Sequence, residues 1–128
     1  MGADVVKINR FEDLVAWQEA RKLTNMVYWS CSGKDLSLEN QIKRSAVSVM
    51  ANIAEGFGRF GLRDSRQFYV TARGSVAETQ SHLYVMLDSK YIDEIKFTRL
   101  YEQSRSVYKI LNGLISQTVK LINRNSNN

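Results

Sequence analysis

Residues 97–121, FTRLYEQSRSVYKILNGLISQTVKL, decide how this chain folds. Phe97, Leu100, Ser104, Val107, Leu111, Leu114, Thr118 and Leu121 recur at steps of three and four. At about 100° per residue that spacing returns to one face of an α-helix, whereas a strand would alternate every second residue. The run reads as one long heptad seam, suited to a left-handed bundle in which each seam buries itself against its neighbours. Asp93 stands where an N-cap is needed, and Ile92 and Phe97 have the spacing of a hydrophobic staple.

Upstream, the same period appears three more times. A first helix, about 11–31, places Leu14, Trp17, Ala20, Thr24, Val27 or Tyr28 and Cys31 on one face, with Asn9 and Glu12 as cap and third residue and Gly33 as the stop. A second, about 37–55, carries Leu38, Ile42, Ala46, Val49 and Ile53 and closes at Gly56. A third, about 64–89, starts with Asp64 as cap and Gln67 reaching back, and carries Phe68, Ala72, Ser75, Thr79, Leu83 and Met86. Ala46, Ala72, Gly74 and Ser75 are small enough for the second and third helices to approach closely. The fourth helix is expected over about 93–122, with NRNSNN as a frayed tail. Short connections make neighbours antiparallel, so the expected fold is all-α: an antiparallel up-and-down four-helix bundle filling a single domain, 1–128.

Composition agrees with this. The 128 residues contain no proline, which removes the strongest helix breaker, and 44% are hydrophobic, enough for one core. Charged residues make up 24%, and no apolar run approaches the roughly 18 residues of a membrane span, so a soluble protein is expected. MGADVVKINR lacks the apolar stretch of a signal peptide, and Val6 stands where a myristoylation motif after Gly2 needs Ser or Thr. Cys31 is the sole cysteine, which excludes an internal disulfide and suits a reducing cytoplasm. The net charge of +5 favours polyanionic partners. The surplus lies in 34–66, with six basic against four acidic residues, and in 93–128, with six against three.

Several motifs lead nowhere. Gly56-Phe57-Gly58-Arg59-Phe60-Gly61 spells the dinucleotide fingerprint GxGxxG, but a helix precedes it where the fingerprint needs a strand. The glycines are expected to end the second helix and turn the chain. His82, the only histidine, has Glu78 four residues earlier, which is too few ligands for a bundle metal site. No set of acid, base, nucleophile or metal ligands assembles, so a non-enzymatic protein without cofactor is expected.

Two features carry function. On the second helix Gln41, Arg44 or Ser45, Ser48, Asn52 and Glu55 step by three and four beside the apolar stripe. Ser, Asn and Gln at that spacing suit a face that is packed yet polar, inside the bundle or against another subunit, although a wet face has the same period. Gly74 and Glu78 on the third helix join this candidate interface. In the following loop Arg59, Arg63 and Arg66 lie close in sequence with Phe57 and Phe60 interleaved. Arginines grip phosphates and aromatic rings stack on bases, though a solvated turn has the same composition.

Phe11-Glu12-Asp13-Leu14, Ala16-Trp17-Gln18-Glu19-Ala20, Gln41 to Val49, Asn52-Ile53-Ala54-Glu55-Gly56-Phe57-Gly58-Arg59 and Ala72 to Glu78 together resemble the four-helix bundle proteins encoded in intervening sequences of 23S ribosomal RNA genes. The resemblance spans about Phe11 to Leu121, and the Asn-Ile-Ala-Glu-Gly-x-Gly-Arg stretch is its most specific part. It implies a bacterial bundle with a basic surface that assembles as a ring, typically a homopentamer. The accessory variability protein of diversity-generating retroelements is a similar bundle, whose ring engages a reverse transcriptase and nucleic acid. Met50 departs from the family pattern, which often has proline there, and the first connection lacks the usual Phe-Pro.

The expected function is therefore homo-oligomeric binding of RNA or DNA phosphates, chiefly by Arg59, Arg63 and Arg66 with Lys96, Arg99, Arg105 and Lys109. The alternative is an adaptor or scaffold ring for a partner protein such as a reverse transcriptase.

Overall fold

A computed structural model of the protein describes residues 7–126. The periodic segments become α1 (Val15–Ser30), α2 (Leu36–Phe57), α3 (Leu62–Asp88) and α4 (Glu94–Ser126), with a 3-10 turn at Phe11–Asp13 before them. No strand occurs among the described residues. Each helix packs against its neighbours in sequence and α4 closes on α1, while the diagonal pairs α1/α3 and α2/α4 stay apart. This is the up-and-down four-helix bundle. No described helix is long and apolar enough to cross a membrane. Gly2 and Val6 at one end, and Asn127 and Asn128 at the other, lie outside the described residues.

The core runs the length of the bundle. Leu23 and Val27 of α1, Ile42, Val49 and Ile53 of α2, Val76, Leu83 and Met86 of α3, and Val107 and Leu111 of α4 are all but fully buried. Each such side chain contributes about 1.5–3 kcal/mol relative to exposure. On α4 the buried positions are Leu100, Gln103, Ser104, Val107, Leu111, Ile115, Thr118 and Ile122. The seam thus leaves the strict heptad after Leu111 and passes to Ile115 and Ile122, with Leu121 37% exposed and Ile122 only 8%. An α-helix has 3.6 residues per turn, so a rigid seven-residue repeat drifts by about 20° per heptad and the inward position slips forward by one.

The helix ends differ from expectation where side chains find better partners. Asn9 does not cap α1. Instead Asp13 accepts the backbone N–H groups of Asn9 and Arg10, at 3.0 and 3.3 Å, which winds Phe11–Asp13 into the 3-10 turn and delays α1 to Val15. Asp35 caps α2 by accepting the N–H of Leu38 at 3.1 Å. Asp64 does not cap α3, which begins two residues earlier. It lies in the first helical turn, where its charge suits the helix dipole and faces Arg59 at 3.7 Å. Asp93 caps α4 as expected, accepting from Lys96 N–H at 2.8 Å, and the helix continues through Ser126 rather than fraying after Ile122.

Gly56 does not close α2 either, since the helix continues to Phe57. A Cβ built on Gly56 would lie 2.6 and 2.9 Å from the Tyr69 ring and 3.1 Å from Phe68 Cβ, so this glycine lets α2 and α3 meet. Gly74, expected in that role, is exposed and a Cβ there meets nothing within 4 Å.

At one end of the bundle the first and last connections are tied together by the buried Glu39. Its carboxylate accepts Gly33 N–H at 2.8 Å and the Tyr91 hydroxyl, which in turn accepts Ser32 N–H at 2.6 Å. The Tyr91 hydrogen bond, outweighing the opposing effect of burial and aided by the N–H groups of Asp35 and Gly33 and the charge of Lys43, holds the Glu39 carboxyl below its ordinary range. Beside it, α3 ends in a Schellman motif. Tyr91 N–H donates to Met86 O at 2.9 Å and Lys90 N–H to Leu87 O at 3.0 Å, with Lys90 in the left-handed region at φ 62°.

Candidate nucleic-acid interface

Four residues of α4 each follow a seam residue by one: Tyr101, Arg105, Tyr108 and Asn112 after Leu100, Ser104, Val107 and Leu111. One step turns a helix by about 100°, so this second stripe leaves the core. It meets α3, where Arg73, Gln80 and Tyr84 likewise follow the buried Ala72, Thr79 and Leu83. Arg73 donates to Asn112 Oδ1 at 2.9 Å, and Gln80 Nε2 donates to Ser104 Oγ at 3.1 Å. Between the helices opens a groove of about 570 Å³ lined by Gln80, Tyr101, Arg105, Ser106, Tyr108, Lys109 and Asn112. None of its lining residues is acidic. At its edge the Tyr101 ring stacks on Phe97 at 5.3 Å and meets Tyr84 edge-on at 5.5 Å, which gives that wall a rigid aromatic base.

Of the seven basic residues singled out from the sequence, the fold brings only Arg105 and Lys109 into this groove. Arg59, Arg63 and Arg66 lie at the end formed by the α2–α3 turn, and Lys96 and Arg99 lie at the start of α4, at the other end. Lys96 and Ile122, which faces Arg63 across a second hollow, are separated by roughly 39 Å of helix.

Arg59 is already engaged. Its guanidinium contacts Glu55 at 3.2 Å and Asp64 at 3.7 Å, and it lies over the Phe68 ring at 4.5 Å. It therefore clamps the α2–α3 turn. Arg63, Arg66, Lys96, Arg99, Arg105 and Lys109 form no ion pair among the described residues. Arg63 lines a hollow of about 450 Å³ with Phe60, Gly61, Leu62, Ile122, Asn125 and Ser126, in which Phe60 is fully exposed. Phe57 is half-buried. Lys96 and Arg99 border a smaller hollow of about 190 Å³ with Met26, Trp29, Ser30 and Leu100.

The polar stripe of α2 divides. Ser45, rather than Arg44, is the buried member: Thr79 Oγ1 donates to its hydroxyl at 2.8 Å, and it donates to Ile42 O at 3.1 Å. Ser48 and Ser75 share a hydrogen bond at 2.9 Å, and Asn52 Nδ2 donates to Ser48 O and Oγ at 2.8 and 3.0 Å. Ser48 is thus joined to α3 within the chain, and Asn52 is tied to Ser48. Gln41, Arg44, Gly74 and Glu78 are exposed, as is Glu55 beside Arg59. Glu78 Oε2 lies 3.5 Å from His82 Nε2, a buried atom without a hydrogen-bond partner, and no third metal ligand joins them among the described residues. Burial raises the Cys31 thiol, with Lys43 partly opposing and Glu39 adding to the rise, so it is a poor nucleophile at neutral pH.

Arg73, Gln80, Tyr101, Tyr108 and Asn112 escaped the sequence reading. The signal was present in the four-three-four spacing of Tyr101, Arg105, Tyr108 and Asn112, shadowing the apolar seam.

The family described as 23S rRNA-intervening sequence protein matches residues 12–113, which hold the whole groove, through Asn112. The chain belongs to this family. No curated protein matches it significantly. Among solved structures, this intervening-sequence protein is similar to a protein with unknown function from the S23 ribosomal protein family of Bacteroides thetaiotaomicron. That likeness has a TM-score of 0.74 at 22% identity and covers 79% of this chain and 98% of the other. It extends to the fold.

Proposed function

We propose that this intervening-sequence protein is a non-enzymatic, self-associating bundle that binds the phosphate backbone of RNA or DNA through the α3/α4 groove. The observation that carries the reading is the groove's charge: Arg105 and Lys109, with Arg73 beside them, and no lining carboxylate. Cations without internal partners remain available to phosphates. Arg63 and Arg66 at one end, and Lys96 and Arg99 at the other, extend the reach once a strand is held. Arg59 contributes less, because Glu55 and Asp64 already neutralise it.

Binding of this kind releases counterions, so affinity for a labelled oligonucleotide falls steeply with salt. Arg105→Gln and Lys109→Gln should each reduce the salt slope by about one. Absence of binding to either RNA or DNA at low salt refutes the reading.

Self-association, as a ring and typically a pentamer, is part of the proposal. Gly74 supports it: a mid-helix glycine costs roughly 0.8–1.0 kcal/mol against alanine, and among the described residues nothing lies within 4 Å of a Cβ placed there. Light scattering that returned the monomer mass at micromolar concentration would refute assembly.

An adaptor for another protein is the second reading, favoured by Trp29, which is 79% exposed, and by the fully exposed Phe60. Neither belongs to the groove, and exposed aromatics are frequent anchors of protein interfaces. Partners that survive nuclease treatment in a pull-down would favour this reading, and loss of every partner would count against it.

A further inference from the structure

We infer that the α3/α4 groove takes single-stranded nucleic acid, with a base stacked on Tyr108; this rests on the nucleic-acid reading above and narrows it. Three observations converge. First, the groove offers a free ring. Tyr101 is packed between Phe97 and Tyr84, whereas no other ring packs on Tyr108 among the described residues, and Tyr108 is 37% exposed beside Arg105 and Lys109. A tyrosine face flanked by cations stacks a base while the cations hold the adjoining phosphates.

Second, two amides line the groove with one half of each left over. Gln80 gives an N–H to Ser104, so its carbonyl oxygen remains an acceptor. Asn112 accepts from Arg73, so its amide nitrogen remains a donor. An acceptor and a donor beside a stacking ring match the edge of an unpaired base, which presents both.

Third, the shape disfavours a duplex. Two packed helices, each about 10–12 Å wide and 8–10 Å apart, form a ridge about 20 Å across, too broad for a major groove of about 12 Å. A duplex could therefore touch the rim cations with its phosphates but could not present a base face to Tyr108. From Tyr101 to Asn112 the wall runs roughly 16 Å, so a few nucleotides occupy it.

The test is fluorescence anisotropy at low salt with a mixed-sequence strand of about twelve nucleotides, a length within the range of single-strand binding sites. The strand is made as RNA and as DNA, each alone and annealed to its complement. Wild type should bind the single strand roughly tenfold or more tightly than the duplex. Tyr108→Ala should weaken single-strand binding by roughly 5- to 150-fold, the value of one lost stack, and leave duplex binding unchanged. Tyr108→Phe, which keeps the ring, should retain wild-type affinity. Duplex bound as tightly as single strand, or Tyr108→Ala without effect on the single strand, overturns this inference and leaves phosphate binding standing. Failure of both forms to bind overturns both.

Discussion

Replacing Gly56 by alanine tests the packing that holds α2 against α3. The new methyl carbon would lie 2.6 and 2.9 Å from Tyr69 ring carbons and 3.1 Å from Phe68 Cβ, where ordinary carbon contacts are about 3.5–4.0 Å. The helices must part by about 1 Å, or the Tyr69 ring must tilt. That ring is only 5% exposed and Phe68 Cβ belongs to the α3 backbone's first atom shell, so neither gives way easily. Overpacking of this kind costs about 1–3 kcal/mol. Alanine in a helix recovers about 0.8–1.0 kcal/mol relative to glycine, leaving a net loss of up to about 2 kcal/mol.

Gly113→Ala is the reference, because a Cβ there meets nothing within 4 Å and only the propensity gain remains. Gly56→Ala should therefore be less stable than Gly113→Ala by about 1–3 kcal/mol. Urea unfolding at one fixed protein concentration reads this as a shift in midpoint with unchanged slope. A Gly56→Ala protein as stable as Gly113→Ala would refute the close approach. Gly74→Ala carries a second readout: a lower solution mass would place that glycine against another copy.

Lys90→Gly should raise stability by about 1 kcal/mol, since Lys90 occupies the left-handed position of the Schellman motif, and thermal unfolding would show it. Ser45→Ala and Thr79→Val should each destabilise by about 0.5–1.5 kcal/mol by removing the buried hydrogen bond between α2 and α3, the remaining hydroxyl keeping its backbone acceptor at Ser75 or Ile42, and the double variant should cost less than their sum, as a double-mutant cycle would measure. Glu39→Gln should lower stability at neutral pH. Because the folded carboxyl titrates below its unfolded value, its contribution is complete above about pH 4.3 and is lost as pH falls through the depressed folded value. The gap between wild type and Glu39→Gln should therefore close in acid, and a gap constant from pH 7 to 3 would contradict this. Cys31 should react more slowly with a thiol reagent at neutral pH than a free cysteine does, because burial raises its thiol.

The α4 stripe from Leu100 through Leu111 and the α2 stripe from Ile42 to Ile53 were legible because one repeated spacing defined each buried face. Beyond Leu111 the reading chose Leu114 and Leu121 where the fold buries Ile115 and Ile122, since two apolar neighbours in sequence satisfy the period equally well. The candidate site was less legible. Charge marked Arg105 and Lys109, but also Arg59, whose partner Asp64 is reached only when the chain turns between α2 and α3. Tyr108 and Gln80 come together from separate helices, and nothing local to either marks the other.

By itself the sequence determined four amphipathic helices, their order, the absence of an internal disulfide and the surplus of positive charge, because spacing and composition are properties of the chain alone. The tertiary structure decided which glycine lets two helices touch, which arginine is neutralised and where a groove opens. A helix in a four-membered bundle faces two neighbours at once, and one-dimensional periodicity gives the mean inward direction but not the angle toward each. That angle puts Gly56 on Tyr69, leaves Gly74 bare, and aligns the stripe after the α4 seam with its counterpart on α3.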